Sequence, residues 1–203
     1  VGLAAGLKLT PAFFVLLLVQ QRRWGAVCIA AFTFLCTVAT GFAEVVDAKH
    51  FWADAIFSTG RIGADDNPGA QSIRQVLARA DADSTALWLL AAAAVTALAL
   101  LASRRAPAPL AVSFIGMTAC LVSPFSWFHH WVWVVPMLAW VYTRWGPIVL
   151  ALFMVPYAAT NISSGLVQVP DLLFILVPVG FMLWYALRPS LCLLYTSLMA
   201  RGR

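Results

Sequence analysis

Long apolar runs are the feature that most constrains how this chain can fold. A run of about 20 apolar residues is long enough to cross the hydrocarbon core of a bilayer as a helix. The sequence is 63% hydrophobic and only 10% charged, well outside the usual composition of a soluble domain. We therefore predict an all-α integral membrane protein, a multi-span helical bundle with about seven transmembrane or re-entrant helices, over runs 1–19, 26–43, 86–102, 110–122, 131–141, 148–159 and 172–187.

Three of these runs are too short to span a bilayer unaided. The runs 110–122, 131–141 and 148–159 contain fewer than the roughly 20 residues of a straight spanning helix, so they must use flanking residues or be re-entrant. The first run contains Pro11, which frees backbone groups that only neighbouring helices or water can satisfy at membrane depth. We therefore expect the first run to form a kinked helix beside a cavity.

The positions of the arginines predict the orientation. Arginines follow alternate apolar runs, at Arg22 and Arg23, Arg104 and Arg105, Arg144, and Arg188. The positive-inside rule assigns these connections to the cytoplasm. The other connections, 44–85, 123–130 and 161–171, contain all eight acidic residues and all three histidines. We therefore predict a multi-pass protein of the cell membrane with its chemistry on the extracytoplasmic side, and no nucleic-acid partner despite the net charge of +5.

A pair of adjacent histidines is the principal candidate site. His129 and His130 follow Ser126 and Trp127 at the predicted outer end of an apolar run. Ionisable side chains at membrane depth are costly unless they face a water-filled cavity or a partner, so such a pair is typical of a functional site. We predict that the histidines are catalytic and that Ser126 and Trp127 bind substrate. The alternative is an interfacial aromatic belt in which both histidines are simply hydrated.

The long outer connection, 44–85, is the second candidate. Loops of about 40 residues are usually functional or disordered, and this one contains aromatic residues, in which disordered linkers are depleted. Gln71 and Ser72 precede a predicted helix with one apolar face and are candidate substrate-binding residues. Arg74 and Arg79 on that helix are candidate ligands for an anionic lipid or a phosphate. The alternative is that both are solvated charges on an amphipathic surface helix.

Lys8 is the third candidate because it lies inside the first apolar run. An ammonium group there can donate charge-assisted hydrogen bonds to a phosphate. The alternative is a lysine that reaches along the apolar surface to the outer interface.

No cofactor and no metal site is predicted. The four cysteines lie in or beside apolar segments without the spacing of metal ligands, so we expect free thiols at Cys28, Cys36, Cys120 and Cys192. Two adjacent histidines also lack the spacing of helical zinc ligands.

Three motifs of this chain resemble glycosyltransferase family 87, the polyprenol-phosphate-mannose-dependent mannosyltransferases of the GT-C superfamily. They are GLKLTP at 6–11, Gln71-Ser72 with Arg74 and Leu77 behind it, and chiefly SPFSWFHH at 123–130. The resemblance covers roughly residues 1–189 and corresponds to the carboxyl-terminal part of such an enzyme. It implies a single GT-C-like transmembrane domain, 1–189, with 44–85 as its outer loop, and we expect 190–203 to be a tail of different origin.

The resemblance also implies an activity. The family transfers mannose from a polyprenol-phosphate sugar donor to a glycolipid or lipoglycan acceptor, so those molecules and membrane lipids are the expected partners. It implies that His129 and His130 contact the phosphate or sugar, and that Lys8, Arg74 and Arg79 neutralise the phosphate. In GT-C enzymes an acidic residue of the first outer loop activates the acceptor hydroxyl. We expect that residue to lie outside this chain, in a preceding part of the protein.

Two other functions fit the residues. A transporter or lipid-binding membrane module would use the histidines as a proton relay and the outer loop as a gate. Against it, the acidic residues are confined to the predicted outer face, and the two halves of the chain show no internal repeat. A purely structural scaffold is the third alternative.

Overall fold

The computed structural model describes residues 1–56, 58, 63, 67, 69–82, 84–159 and 168–188. In these ranges the chain is helical and the only β contact is an isolated bridge between Ala70 and Trp127. The α-helices are α1 (Gly2–Leu7), α2 (Val15–Gln20), α3 (Trp24–Glu44), α4 (Ala48–His50), α5 (Ile73–Arg79), α6 (Thr85–Ser103), α7 (Ala108–Val122), α8 (Val134–Ala159) and α9 (Gln168–Leu187). Short 3₁₀ helices lie at Thr10–Phe14 and Phe128–Trp133, and a π-helical turn lies at Phe51–Ala55.

The prediction of an all-α membrane protein is confirmed. Three helical segments in the described part of the chain are long and apolar enough to cross a membrane, namely Trp24–Glu44, Thr85–Ser103 and Phe128–Val155. The outward face of α3 leaves Phe32 70% exposed and Leu35 62% exposed. Large exposed apolar surfaces of this kind are unfavourable in water and are satisfied by lipid.

Helix α7 forms the centre of the bundle. It packs against α6, α8, α9 and the 3₁₀ helix Thr10–Phe14, and 11 of its 15 residues are buried. A helix that is apolar on every side needs protein neighbours on every side. The short run predicted at 110–122 is therefore a core helix of the bundle.

The first apolar run is divided at Lys8, where a single kinked helix was expected. Lys8 has extended backbone angles (φ −156°, ψ 127°) and ends α1, and Pro11 lies in the first turn of the following 3₁₀ helix. Gly2 of α1 lies against Ala30, and Gly6 lies against Thr37, so α1 runs beside α3 in the same direction. The chain then turns back towards Gln20, and Lys8 lies at the turn. Because proline has no N–H and fits the first turn of a helix, Pro11 favours a new helical start at this point.

The break between the runs 131–141 and 148–159 lies within α8. Gly146 has φ 84° and ψ −177°, which are not helical values, so α8 consists of two helical segments separated at this glycine. A positive φ is readily adopted only by glycine. The position of the break, two residues after Arg144, coincides with the predicted connection.

Contacts bring together connections that were assigned to the same side of the membrane. Arg105 Nη1 donates hydrogen bonds to the carbonyls of Ala186 at 2.7 Å and Arg188 at 3.0 Å. At the opposite end of the bundle, the Gln71 backbone N–H donates to the Ser126 carbonyl at 2.6 Å. The loop 44–85 and the segment 123–130 therefore meet at one end, where the candidate site lies.

Candidate functional site

The structure brings Lys8 and His130 into contact. Lys8 Nζ lies 2.7 Å from His130 Nε2, although the two residues are 122 positions apart in the sequence. The extended backbone at Lys8 directs the chain out of α1, and His130 lies in the 3₁₀ helix Phe128–Trp133. A cationic side chain and an imidazole from distant parts of the sequence thus converge at one point, a typical arrangement for holding a polar ligand.

His130 is held on its other side by the backbone. The Trp127 N–H donates to His130 Nδ1 at 3.2 Å, within the first turn of the 3₁₀ helix. The Cys120 thiol of α7 donates to the His130 carbonyl at 3.4 Å. The ring orientation and the main chain of His130 are therefore both fixed by neighbours.

His129 has a different environment. It is exposed, and its described contacts are between rings: it stacks on Trp127 with centroids 6.4 Å apart and meets the His130 ring edge-on at 4.5 Å. The two imidazole rings contact each other, and His130 is the one within hydrogen-bond distance of Lys8.

The loop before α5 is anchored to the histidine segment by hydrogen bonds. The Gln71 carbonyl accepts from the Trp131 indole N–H at 3.0 Å, and the Ser126 N–H donates to Gln75 Oε1 at 3.2 Å. The bridge between Ala70 and Trp127 extends this contact. Helix α5 consequently lies against the segment that contains His130.

Three of the four predicted substrate-binding residues are buried where the loop before α5 contacts the histidine segment. Gln71 and Ser72 are fully buried, and Ser126 is 1% exposed. The Ser72 hydroxyl caps α5 by accepting the Gln75 N–H at 3.4 Å. Trp127 is partly exposed. A substrate contact by any of the four stays a prediction.

The two predicted arginine ligands have protein partners. Arg79 Nη1 donates to the carbonyls of Asn67 at 2.9 Å and Ala70 at 2.8 Å, so this side chain holds the loop in place. The Arg74 guanidinium lies over the Trp88 ring, 5.7 Å from its centroid. Their phosphate-binding role also stays a prediction, and Lys8 is the predicted ligand that contacts a predicted catalytic residue.

An apolar groove of about 510 Å³ has Leu9, the residue after Lys8, in its lining. The groove lies between the 3₁₀ helix Thr10–Phe14 with the start of α2, helix α6, and the end of α7. Its lining includes Leu9, Phe13, Leu16, Trp88, Val122 and Pro124. Ser123 and Thr10 add hydroxyl groups to the lining.

Gln75 is a site residue that the sequence analysis missed. It lies on the buried side of α5 and is fully buried, although glutamine is usually exposed. The signal in the sequence was a polar residue between Ile73 and Val76 in a predicted amphipathic helix. No group of three or more potential metal ligands occurs among the described residues.

Comparisons with known proteins agree with the resemblance in the motifs. The profile of glycosyltransferase family 87 matches residues 1–124. A polyprenol-phosphate-mannose-dependent α-(1-2)-phosphatidylinositol pentamannoside mannosyltransferase of Mycobacterium tuberculosis (strain CDC 1551 / Oshkosh) is 34% identical over 191 residues, covering 83% of this chain and 44% of the relative. A polyprenol-phosphate-mannose-dependent α-(1-2)-phosphatidylinositol mannoside mannosyltransferase of Mycolicibacterium smegmatis is 37% identical over 152 residues, covering 68% of this chain and 34% of the relative.

The chain thus spans less than half the length of these curated relatives. No solved structure matches it. Since the family profile covers more than half of the chain and relatives above 30% identity cover most of it, the chain belongs to glycosyltransferase family 87.

Proposed function

We propose that the protein transfers a mannosyl unit from polyprenol-phosphate mannose to a phosphatidylinositol mannoside or a related glycolipid on the extracytoplasmic face. The observation that carries the proposal is the contact between Lys8 and His130 in a helical bundle whose apolar groove has Leu9, the residue after Lys8, in its lining. A lipid-linked sugar phosphate has the matching form: a long apolar chain, one anionic group and a sugar beyond it. The relatives' names indicate the same donor and the same class of acceptor.

The charge of the site suits an anionic leaving group. No carboxylate lies within 4.0 Å of Lys8 in the described part of the chain, where the recorded ion pair is His50 with Asp54. An ammonium without a counterion favours an anion more strongly than one already paired. As the glycosidic bond breaks, negative charge grows on the phosphate, and Lys8 and His130 lie where they can stabilise it.

The groove supplies binding energy remote from the reacting bond. Its apolar lining matches an isoprenoid chain, and because that chain moves from bilayer lipid into the groove, the favourable contribution is van der Waals packing. Trp127 is partly exposed and stacks on His129, and we propose that its ring contacts the sugar. We propose accordingly that residues 1–189 act as one transmembrane domain, with the loop 44–85 over the outer end of the site.

The proposed function is tested with membranes from cells that express the complete protein. Labelled mannose presented as polyprenol-phosphate mannose should appear in glycolipid, and GDP-mannose should not serve when synthesis of the lipid donor is blocked. Transfer directly from GDP-mannose, or labelling that is the same without the protein, would contradict the proposal.

The proposed orientation has a separate test by cysteine labelling. In a background that lacks the four native cysteines, Ser58→Cys should react with an impermeant thiol reagent in intact cells. Ala108→Cys should react only after permeabilisation. Both positions are exposed in the structure, so a difference in labelling reports sidedness rather than burial. Labelling of Ala108→Cys alone in intact cells would reverse the orientation.

A further inference from the structure

A second apolar groove lies between the second segment of α8 and α9, and we call it the α8–α9 groove. Its volume is about 440 Å³, which is within the range of small-molecule sites. The lining is apolar and rich in aromatic rings, and it includes Trp145, Leu152, Phe153, Leu176, Phe181 and Trp184. Leu152 is 66% exposed and Leu176 is 49% exposed, so the groove opens on the outer surface of the described bundle.

The α8–α9 groove has the length of one leaflet of a bilayer. Its lining on α9 runs from Leu176 to Trp184, a distance of about 12 Å in a helix that rises about 1.5 Å per residue. The hydrocarbon core of one leaflet is about 15 Å thick. Trp184 is followed by Arg188, and Trp145 on the other wall directly follows Arg144. Both walls therefore begin near an arginine and run towards the middle of the membrane.

Gly180 lines the α8–α9 groove and leaves space in it. A side-chain carbon added at this position would meet no atom of the described residues within 4 Å. Glycine weakens a helix interior relative to alanine, and in membrane proteins it usually allows two helices to approach closely. No described neighbour uses the space beside Gly180 in that way. The residue thus keeps the groove open, as a bound chain requires.

A cation lies at the end of the α8–α9 groove. The Arg188 guanidinium lies over the Tyr185 ring, 3.5 Å from its centroid, and 5.6 Å from the centroid of Trp184, which lines the groove. An aromatic face attracts the cation and leaves the N–H groups at the edge of the guanidinium able to donate. Arg105 holds the backbone at this position by donating to the Arg188 carbonyl at 3.0 Å. The charge of Arg188 is therefore fixed beside the groove wall.

This end of the bundle has no acidic partner for its arginines. No aspartate or glutamate occurs in 84–170 or after Asp171, the stretches that contain Arg104, Arg105, Arg144 and Arg188. In the described part of the chain the recorded ion pair is His50 with Asp54, in the outer loop. Basic pockets between spanning helices bind the anionic headgroups of phospholipids. Arginines that only set the topology would need no groove beside them.

We propose that the α8–α9 groove holds one acyl chain of an anionic phospholipid whose phosphate contacts Arg188, with Arg144 near the same headgroup. Because the lipid comes from the surrounding bilayer, its chain is held by van der Waals packing against the groove walls. The arginine charge selects an anionic headgroup. The site lies towards the end of the bundle opposite to Lys8 and His130, and the proposal does not depend on the donor or the acceptor of the proposed function.

The first experiment measures lipid retention by native mass spectrometry. The complete protein in detergent is titrated with phosphatidylglycerol or with phosphatidylcholine that has the same acyl chains. Wild type should retain one phosphatidylglycerol molecule with an affinity about 10-fold higher than that for phosphatidylcholine. Equal retention of the two lipids would overturn the proposal.

The second experiment fills the α8–α9 groove from within. Gly180→Leu places an apolar side chain in the open space and should weaken retention of phosphatidylglycerol by at least about 10-fold. The matched control is Gly25→Leu. Gly25 also has no atom within 4 Å of an added carbon, and it lies on α3, which does not contact α8 or α9 among the described residues. The control should stay within about 2-fold of wild type, and equal effects of the two changes would contradict the proposal.

The third experiment removes the cation. Arg188→Gln should weaken retention of phosphatidylglycerol by about 5-fold to 50-fold and leave that of phosphatidylcholine unchanged, because the lost contact is with the anionic headgroup. Arg23→Gln removes the same charge just before α3 and should change retention by less than about 2-fold. Equal weakening by the two changes would show a response to net charge and would overturn the site at Arg188.

Photolabelling tests the location in the wild-type protein, so it decides the matter even if Gly180→Leu does not accumulate. The complete protein is reconstituted in phosphatidylcholine vesicles that contain phosphatidylglycerol with a diazirine in one acyl chain. Peptides from 147–159 and 168–187 should be labelled, and unlabelled phosphatidylglycerol should compete, whereas additional phosphatidylcholine should not. Absence of label from both helices would show that another part of the protein covers the groove, and would overturn the proposal.

Discussion

Replacing His130 by Ala should lower turnover by about 10-fold to 1000-fold, the range for loss of an electrostatic or acid–base contribution. The reason is its contact with Lys8, since under the proposed function the two side chains together stabilise the charge that develops on the phosphate. The same replacement at His129 should cost less than about 3-fold, because the described contacts of that ring are stacking contacts at the edge of the site. The measurement is the rate of mannosyl transfer at saturating donor.

His129→Ala is the matched control, since the two residues are adjacent and lie in the same 3₁₀ helix. The amount of protein in the membrane must be the same for both variants. Normal turnover in His130→Ala at normal abundance would remove His130 from the mechanism and favour the interfacial aromatic belt.

Replacing Lys8 by Ala should raise the apparent Michaelis constant for the donor by about 10-fold to 100-fold. Hydrogen bonds to charged groups contribute about 1.5–3 kcal/mol, and each 1.4 kcal/mol corresponds to a factor of 10 in affinity. Turnover should fall as well if the contact strengthens when the phosphate departs. The measurement is initial rate against donor concentration.

The matched control for this change is Lys49→Ala. Lys49 is the other lysine of the chain, is exposed on α4 in the outer loop region, and forms no ion pair with the residues that the structure describes. It should leave donor dependence within about 2-fold of wild type. An equal increase in the donor Michaelis constant in both variants would indicate a long-range electrostatic effect of either lysine. It would contradict a direct contact between Lys8 and the donor.

The membrane character and the location of the site could be predicted from the sequence because each follows from a local pattern. Long apolar runs predict membrane-spanning helices, and ionisable residues in or beside such runs indicate a water-filled cavity or a binding site. Lys8 and His130 were both recognised in this way. Their contact could not be predicted, because it depends on where the chain reverses after α1 and on the packing of α7 against the histidine segment.

The roles of the polar residues in the outer loop were harder to predict. Arg79 and Ser72 have the residue types of ligands, yet the structure uses Arg79 to hold loop carbonyls and Ser72 to cap α5. Capping residues and substrate-binding residues are drawn from the same polar types. Gln75 shows the opposite case, since a buried polar residue cannot be distinguished by spacing from a solvated one.

The distance in sequence between Lys8 and His130 has a consequence for biogenesis. The two residues are separated by 122 positions, so the nascent chain contains one of them long before the other is made. Protein synthesis adds about 5–20 residues per second, so the interval between the two residues is about 6–24 s. During that interval the early helices are present without the contact between Lys8 and His130. The candidate site is therefore assembled only after the later helices have been made.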